Sequence, residues 1–358
     1  MPEMNERRRL ILKLVIQEYI ENPIPVASEL LVRKYGLKLS SATIRNELAV
    51  LEELGYLTHL HTSAGRVPTD AGYRYFVENL MDRTQLPVTE QRTIRHQFYQ
   101  VRSELLDQWI QLAGAVLART AQNASVVTPP RAYQSRFRHI ELIAIYESTV
   151  LMVLVLHDGN LRQQTITLDT ARSQEELSRS AARLNEHFAD MGAAQVRETF
   201  QTIQAQPEPT FNDLEQQVLD LVLRAMHQIE EQFNQEIHSD GLIEILSQPE
   251  FVHVDRIRQV MEILQGGKGL SPLITRVLAS NGVQVVIGGE HGQDDMREYS
   301  VVLSRYGVNG AAAGVLGVIG PTRMAYPRTI STVHYVSLVM SDLLGDIYGD
   351  GKTASPPR

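Results

Sequence analysis

Four side chains on one face of a short predicted helix have the types that read bases in double-stranded DNA. Thr43, Arg45, Asn46 and Ala49 lie on the outward face of a helix expected from Ser41 to Leu54. Arginine can bond guanine through two hydrogen bonds, and asparagine can bond adenine in the same way. This arrangement is typical of a recognition helix that enters the major groove.

A second group of polar side chains lies in a predicted hairpin just downstream. Its turn runs over Ser63, Ala64, Gly65 and Arg66, with the arginine at the tip. An arginine there has no evident packing role, but it suits contact with phosphate or with the minor groove. We therefore expect a DNA interface made of both groups, namely Ser41, Thr43, Arg45, Asn46, Ala49, His61, Thr62, Ser63 and Arg66.

The helix that carries the first group is predicted by its apolar spacing and by its ends. One buried face is indicated by apolar residues at the i, i+4, i+7 spacing: Ile44, Leu48 and Leu51. Ser40 and Ser41 precede this face and can accept hydrogen bonds from the free N–H groups of the first turn. Gly55 follows the last apolar residue and suits a left-handed C-terminal cap.

The surrounding elements are predicted in the order of a winged helix-turn-helix. An amphipathic helix from Glu6 to Tyr19 and a shorter one from Val26 to Tyr35 precede the recognition helix. A strand from Tyr56 to His61 and the small-residue turn follow it, and a further helix runs from Pro68 to Leu80. Three short helices alone also match ordinary small modules. The arginine-bearing hairpin favours DNA binding.

Two parts of the sequence resemble the signatures of one known family. The stretches LSSATIRNELAVLEELGYL from Leu39 and HTSAGRVPTDAGYRYFV from His61 resemble the N-terminal signature of the HrcA family, the heat-inducible repressors of bacterial chaperone operons. Residues 285–288 and 314–324 resemble its C-terminal signature. The sequence departs from the common pattern with Leu60 in place of Pro, His291 in place of Asn and Ala325 in place of Asp.

The resemblance implies a fold and a set of partners. It implies a GAF-like domain interrupted by a dimerising insert, so we expect a multidomain α+β protein. The expected parts are an N-terminal winged helix-turn-helix (1–85), a discontinuous GAF-like α+β domain (86–168 and 249–348), an inserted dimerisation domain (169–248) and a disordered tail (349–358). The implied partners are a second copy of the chain, an inverted-repeat operator ahead of chaperone genes, and the chaperonin GroEL, which keeps the repressor folded and active.

Composition limits the classes of function. The chain has 358 residues, of which 43% are hydrophobic, and it has no cysteine. Disulfides, thiolate zinc sites and cysteine nucleophiles are therefore excluded. No signal peptide is indicated and the apolar stretches are too short to span a membrane, so we expect a cytoplasmic protein with no membrane partner.

The charge distribution is unusual for a DNA-binding protein. The net charge is −8, whereas nucleic-acid-binding domains are usually basic. Residues 1–85 contain eleven Lys or Arg and eleven Asp or Glu, so the excess acid lies downstream. We expect weak non-specific affinity, with phosphate attraction supplied locally by Arg7, Arg8, Arg9, Lys34, Lys38, Arg45 and Arg66.

Downstream of residue 85 the pattern alternates between helices and strands. The expected elements are one helix over 89–121, a β-rich stretch over 138–156 that turns at 157–160 and returns over 161–168, helices over 175–191 and 211–237, strands over 283–287, 299–306 and 314–319, and a closing helix over 333–344. Strands at both ends of a helical middle suggest one α+β domain with an insertion. The apolar face of the 211–237 helix is the expected dimer contact.

Other candidate sites lack residues that their chemistry needs. Gly266–Gly269 departs from the phosphate-loop spacing, and the glycines over 307–320 do not fit the dinucleotide-binding pattern. His59 and His61 have no third ligand at a suitable spacing. Glu290, His291, Asp294 and Asp295 are most simply a solvated loop, with an acid-base or ligand site as the alternative.

These observations predict a DNA-binding regulator without catalytic residues, cofactor or metal. The alternative is a metabolite-responsive winged-helix regulator that senses a small ligand through its GAF-like domain. An enzyme with an accessory DNA-binding module is a third possibility.

Overall fold

The computed structural model describes residues 4–59, 65–82, 85–101, 106–130, 136–157, 161–204, 211–233, 237–266, 269–308 and 312–348. The chain forms two compact units. The first comprises Met1–Pro130, Ile237–Val308 and Ala313–Arg358, and the second comprises Arg131–Glu236 and Asn309–Ala312. Each unit contains both helices and a sheet, so the expected mixture of helices and strands is confirmed.

The N-terminal part of the first unit has three helices followed by a pair of short strands. Its elements are α1 (Glu6–Glu21), α2 (Ser28–Tyr35), α3 (Ser41–Glu53), β1 (Leu57–Thr58), β2 (Val67–Pro68) and α4 (Asp70–Tyr75), which continues as a π-helical turn over Phe76–Leu80. Gly36 and Gly55 follow α2 and α3 with φ angles of 59° and 80°, a backbone conformation that glycine adopts readily. The predicted order of elements is confirmed. The predicted strand is described only over Leu57–Thr58.

The single helix predicted over 89–121 is two helices in the structure. They are α5 (Val88–Gln100) and α6 (Leu106–Ala121), and β3 (Ala124–Val127) follows. No glycine or proline marks the end of α5, which is why the break was not predicted. All four residues of β3 are buried, and so short an apolar run gives no periodicity from which a strand could be predicted.

The described residues of the second unit form a three-stranded sheet and three helices. Its elements are β4 (Phe137–Tyr146), β5 (Thr149–Leu156), β6 (Leu161–Thr167), α7 (Gln174–Phe188), α8 (Ala193–Gln204) and α9 (Asp213–Phe233). The strands are antiparallel in the order β4-β5-β6. The stretch predicted over 138–156 is two strands, because the chain reverses at Glu147, whose φ is 46°. Neither Glu147 nor Ser148 is a strong turn signal.

The apolar face of α9 is buried within the second unit. Val218, Val222 and Met226 on this helix have no exposed surface. They belong to one apolar cluster with residues of α7 and with the inner face of the sheet. The expectation that this face is free to contact a second copy is therefore wrong, because the helix uses it to build its own core.

The chain then returns to the first unit and completes its sheet. The elements are β7 (His238–Asp240), α10 (Leu242–Leu246), α11 (Val254–Gly266), α12 (Ser271–Leu278), β8 (Val283–Ile287), β9 (Tyr299–Val308), β10 (Ala312–Pro321) and α13 (Tyr326–Tyr348). Five strands form one sheet in the order β7-β3-β10-β9-β8. The three predicted late strands are confirmed, and the closing helix is longer at both ends than predicted.

Strand β10 lies at the centre of this sheet, and all of its residues are buried. It pairs antiparallel with β3, with Gly317 opposite Val126. A Cβ atom at Gly317 would lie 2.0 Å from the carbonyl oxygen of Val302, so no larger residue fits without moving the backbone of β9. Close packing against β9 therefore explains the glycine at this position.

The expected domain boundaries differ from the division of the structure. Residues on both sides of the boundary expected at 85 belong to the first unit, and one buried cluster joins Ile11 and Leu51 to Phe98 and Met340. The second unit begins at 131 rather than at 169, because the inner face of the β4–β6 sheet packs with α7 and α9. The domain assignment stays a prediction.

Ala325 occupies the N-terminal cap position of α13, where its carbonyl accepts the N–H of Thr329 at 2.9 Å. Its methyl group cannot accept a hydrogen bond from the free N–H groups of the first turn. We expect Ala325→Asp to raise the free energy of unfolding by about 1 kcal/mol, through capping and a favourable charge at the helix start. Urea denaturation followed by circular dichroism measures this. Ala325→Leu is the control without a cap, and equal stability of the two variants would contradict the explanation.

Candidate nucleic-acid interface

Helix α3 presents a polar face to solvent because its opposite face is buried. The buried residues are those predicted, Ile44, Leu48 and Leu51. Arg45 and Asn46 are exposed on the other side, and 71% of the Arg45 side chain is accessible. The structure therefore places both side chains where a DNA groove could reach them. Ala42 is exposed beside them and was missed, since an alanine in a helix carries no signal of its own.

The start of α3 is fixed by a serine cap, as predicted. The Ser40 hydroxyl accepts the N–H of Thr43 at 3.1 Å, and the two hydroxyl groups lie 2.8 Å apart. The other expected interface residues of this helix, Ser41, Thr43 and Ala49, are half-buried. Small half-buried residues around an exposed Arg and Asn leave room for a close approach to base edges.

A carboxylate on α2 binds the guanidinium of Arg45. Glu29 Oε1 accepts hydrogen bonds from Arg45 Nη2 at 3.0 Å and from the Ser41 hydroxyl at 2.9 Å. Hydrogen bonds from its own backbone N–H and from Ser41 lower the pKa of Glu29 below its ordinary value, so the side chain is anionic at neutral pH. Entry of Arg45 into a DNA groove would require exchange of this partner. Sequence reasoning missed Glu29, because it lies on another helix, sixteen positions from Arg45.

Arg66 does not lie at the tip of the hairpin. Its backbone N–H and carbonyl both bond to Val26 at 2.9 Å, and its Nη2 lies 2.8 Å from Glu52 Oε2. Only 21% of its side chain is exposed, so the expected position is wrong. The bridge to Val26, forty residues upstream, was not visible as a local pattern. Any contact of Arg66 with DNA stays a prediction, and His61, Thr62 and Ser63 lie outside the described residues.

Many basic side chains in the N-terminal part are paired with carboxylates. The pairs are Arg7 and Arg8 with Glu47, Arg9 with Glu6, Lys13 with Asp82, Lys34 with Glu18 and Glu21, Arg45 with Glu29, and Arg66 with Glu52. The hydrogen bond from Lys34 lowers the pKa of Glu18, although burial opposes this. Lys38 is exposed. The phosphate attraction expected from these cations is therefore reduced by neighbouring anions, which agrees with a neutral N-terminal part.

Comparison with known proteins identifies the family. The family model described as "HrcA protein C terminal domain" matches residues 107–330. The chain belongs to the HrcA family. Its relatives include the heat-inducible transcription repressor HrcA of Roseiflexus sp. (strain RS-1), 71% identical over 97% of this chain and 96% of the relative. The HrcA of Roseiflexus castenholzii (strain DSM 13941 / HLO8) is 70% identical with the same coverage.

A solved structure also matches the fold. The crystal structure of a hypothetical protein at 2.2 Å resolution has a TM-score of 0.58 with this HrcA family member, covering 96% of this chain and 99% of that chain. The two sequences are 24% identical, so the likeness shows a shared fold alone.

The N-terminal HrcA signature contains residues that join the base of the hairpin to α4. The hydroxyl of Thr69 accepts the N–H of Gly72 at 3.1 Å and donates to the carbonyl of Gly55 at 2.6 Å. A Cβ atom at Gly72 would lie 2.2 Å from the carbonyl oxygen of Tyr56. The glycine therefore allows α4 to pack directly against the chain that leaves α3.

The polar loop that was expected to be solvated makes internal contacts. Glu290 binds the guanidinium of Arg74, and His291 Nε2 lies 3.1 Å from the carbonyl oxygen of Tyr299. Burial lowers the pKa of His291, so its ring is neutral at pH 7. Asp294 lies 3.2 Å from Arg297. Glu290, Asp294 and Asp295 are exposed, as the solvated interpretation predicts, and Glu290 is in addition an ion-pair partner of Arg74.

Two further observations concern ligands and membranes in this HrcA family member. Within the described ranges, no group of three or more His, Asp or Glu side chains is arranged to hold a metal ion. An open groove of about 420 Å³ lies between α5 and α6, and its lining includes Glu90, Ile94, Leu112, Val116, Arg119 and Thr120. Among the helices described, none combines the length and the apolar character needed to cross a bilayer.

Proposed function

We propose that this protein is a negative regulator of transcription at heat-shock (chaperone) operons that binds an inverted-repeat operator as a homodimer in the cytoplasm. Heat-inducible repression is the activity named for relatives that are 57–71% identical. The observation that carries DNA binding is α3, a capped helix with a buried apolar face and with Arg45 and Asn46 exposed. No catalytic role is proposed.

The N-terminal part is assigned to the winged helix-turn-helix class. In support, a short turn at Gly36 joins α2 to α3, and β1 pairs antiparallel with β2 directly after α3. The part that contains the five-stranded sheet is assigned to the GAF-like class, with α6 and α13 packed in the same unit. These assignments make α3 the helix that enters the major groove.

The outer face of the β4–β6 sheet is the proposed contact between two copies of the chain. Alternate residues of β5, among them Met152 and Leu154, are fully buried beneath the sheet. The other residues of β5 are only half-buried on the outer face, where Leu151 is paired with Ile143 and Val155 with Leu161. Ile143 is 43% exposed and Leu161 is 53% exposed. These apolar side chains form a patch of the kind that is typical of a protein–protein contact, and Glu141 and Gln163 on either side of Val153 make the rest of the face polar.

A second copy is the partner that suits this face. An inverted repeat has twofold symmetry, and a twofold dimer brings the same surface of each subunit together. The polar amides of Gln174 and Asn185 on α7 bond to the backbone of the edge strand β4 at Leu142, Ala144 and Ile140. This covers the edge of β4, so association is directed to the face of the sheet rather than to that edge.

The chaperonin GroEL is the proposed partner that keeps the repressor active. The physical support is the large sequence separation between strands that pair in the five-stranded sheet. Thr128, at the end of β3, and Val315, in β10, exchange hydrogen bonds of 2.8 and 2.9 Å although they are 187 positions apart. Folding is slow when such distant strands must pair, and the buried strand β3 exposes apolar surface until they do. A chaperonin binds such surfaces.

We expect purified, refolded protein to gain operator-binding activity when chaperonin and ATP are added. The measurement is the fraction of protein able to bind a saturating operator, before and after mild heating. Excess unfolded substrate should compete and lower the gain, because it occupies the chaperonin. A protein that is fully active after unassisted refolding, and remains so through heating, would show that chaperonin control is the wrong explanation.

DNA titration of the full chain tests the proposed function directly. The probe is an inverted repeat from upstream of a chaperone operon of the source organism, and the control is a scrambled sequence of equal length. A metabolite panel added to the same titration tests the alternative of a ligand-responsive regulator. A metabolite that changes operator affinity would favour that alternative over the proposed function.

A further inference from the structure

The two parts of the chain that carry the family signatures meet at a junction within the first unit. Helix α4, from the N-terminal signature, lies against the end of β8 and the helical turn Gly288–His291 that follows it. The turn between β10 and α13, from the C-terminal signature, lies against the end of α1. Both contacts are made by arginine side chains.

The first contact is a bidentate pair that also bonds to the backbone. Arg74 Nε donates to Glu290 Oε1 at 2.7 Å, and its Nη2 donates both to Glu290 Oε2 and, at 2.7 Å, to the carbonyl of Val285. Burial alone would raise the pKa of Glu290, but hydrogen bonds from Arg74 and from the N–H of Ile287 lower it below its ordinary value. Such forked pairs fix the relative direction of the two groups as well as their distance.

A backbone contact lies one helical turn away on the same face of α4. Asp70 Oδ2 accepts the N–H of Gly289 at 2.8 Å. Gly288 has a φ of 51°, and a Cβ atom there would lie 2.3 Å from the Asp70 carboxylate. A glycine is therefore required for the carboxylate to reach this turn. Asp70 and Arg74 together hold α4 at two points. The helix therefore cannot rotate about a single contact.

The second arginine holds the end of α1. Arg323 is almost buried, and its guanidinium pairs with both oxygens of the Glu250 carboxylate. Its Nη1 donates to the carbonyl of Ile20 at 3.1 Å, one of the carbonyls in the last turn of α1 that have no partner within the helix. A positive charge at this end of a helix is favourable. The rings of Tyr73 and Tyr326 lie 5.8 Å apart between the two parts.

We propose that Arg74 and Arg323 are positioning residues that set the direction in which α3 is presented, and thereby select the half-site spacing of the operator. The inference rests on the proposed function. Neither arginine needs to touch DNA. Each holds a helix of the N-terminal part, α4 or α1, to the five-stranded part at a fixed angle. Moving one half-site by one base pair rotates it by roughly 35° about the DNA axis, so a rigidly presented pair of helices tolerates few spacings.

The test is a titration against inverted repeats whose central spacing is varied one base pair at a time. We expect the unsubstituted protein to lose about tenfold or more in affinity for each base pair away from its best spacing, because avidity fails when geometry prevents both contacts. Arg74→Met and Glu290→Gln, which break the pair from opposite sides, should flatten this profile to about threefold while half-site affinity is retained. Arg74→Lys keeps the positive charge but cannot form the two parallel hydrogen bonds. Its dependence of affinity on spacing should lie between those of the unsubstituted protein and Arg74→Met. Arg95→Met on α5 is the control.

A spin-label distance measurement, which needs no DNA, tests this proposal independently of the proposed function. The chain has no cysteine, so spin labels can be placed at Glu53→Cys on α3 and His334→Cys on α13, two exposed positions of the first unit. Their distance distribution should be narrow in the unsubstituted protein and broader with Arg74→Met. An unchanged distribution or an unchanged spacing profile overturns the inference. Loss of half-site binding in Arg74→Met with the profile retained would mean that Arg74 contacts DNA itself, and also overturns it. If no inverted repeat binds at all, the proposed function fails while the label result still stands.

Discussion

Glutamate at both Ile143 and Leu161 should convert the protein into a folded monomer whose affinity for the full inverted repeat falls by roughly 10² to 10⁴. The two side chains flank β5 on the outer face of the sheet, and each is about half exposed, so the change costs the subunit little. In a twofold dimer the new charges would face their own copies across a desolvated contact. In a dimer, binding of the first winged helix-turn-helix gives the second an effective concentration on the order of millimolar at its half-site. A monomer would lose this gain in affinity.

Sedimentation velocity and paired titrations against full and half sites measure this effect. The matched control is Gln201→Glu with Gln217→Glu, which adds the same charge at exposed positions of α8 and α9. It should remain a dimer with full operator affinity. A variant that stays dimeric, or a monomer that still binds the whole operator tightly, would refute the proposed contact. Val218→Glu should instead unfold the second unit, since this side chain has no exposed surface.

Arg45→Ala should weaken binding to the specific operator by about 1 to 3 kcal/mol, which is roughly 5-fold to 150-fold, with a much smaller loss on random DNA. A side chain that bonds a base edge adds affinity only where the correct base is present. The fold should not change, because Arg45 is exposed and its partner Glu29 is exposed as well. Parallel titrations on specific and scrambled DNA at several salt concentrations give both losses.

Two variants serve as controls for Arg45. Arg95→Ala removes the same charge from an exposed position on α5 and should leave specific affinity unchanged. Glu29→Gln removes the carboxylate that competes with DNA for Arg45, so it should raise affinity for the specific operator more than for random DNA. Equal losses on specific and random DNA in Arg45→Ala would make Arg45 a phosphate contact only.

Features that were predicted correctly are those whose causes lie close together in the chain. The cap at Ser40, the apolar spacing of α3 and the glycine at 55 all fall within sixteen residues, and each acts on the backbone beside it. The exposed face with Arg45 and Asn46 then followed directly, because burying one side of a helix determines what the other side presents. The late strands were also predictable, since long apolar runs interrupted by glycine have few other structures.

Features that were missed depend on partners far away in the chain. Glu29 meets Arg45 from another helix, and Glu290 meets Arg74 across 216 positions, so neither pair has a characteristic spacing. Arg66 was misplaced because its bridge to Val26 decides where the hairpin begins. The dimer face was assigned to α9 because an amphipathic helix looks the same whether it covers its own core or that of a second copy. Only the position of the sheet in the second unit distinguishes these two cases.

The pairing of β3 with β10, together with the packing of α13, makes the order of synthesis matter. Met340 of α13 belongs to the same buried apolar cluster as Ile11 of α1, so this cluster is complete only after α13 has joined it. A fragment released from a ribosome that stalls before β10 would therefore contain the residues proposed to contact DNA but lack part of this cluster. Truncated chains made in a stressed cell would then be unable to bind the operator. Only full-length chains would repress transcription.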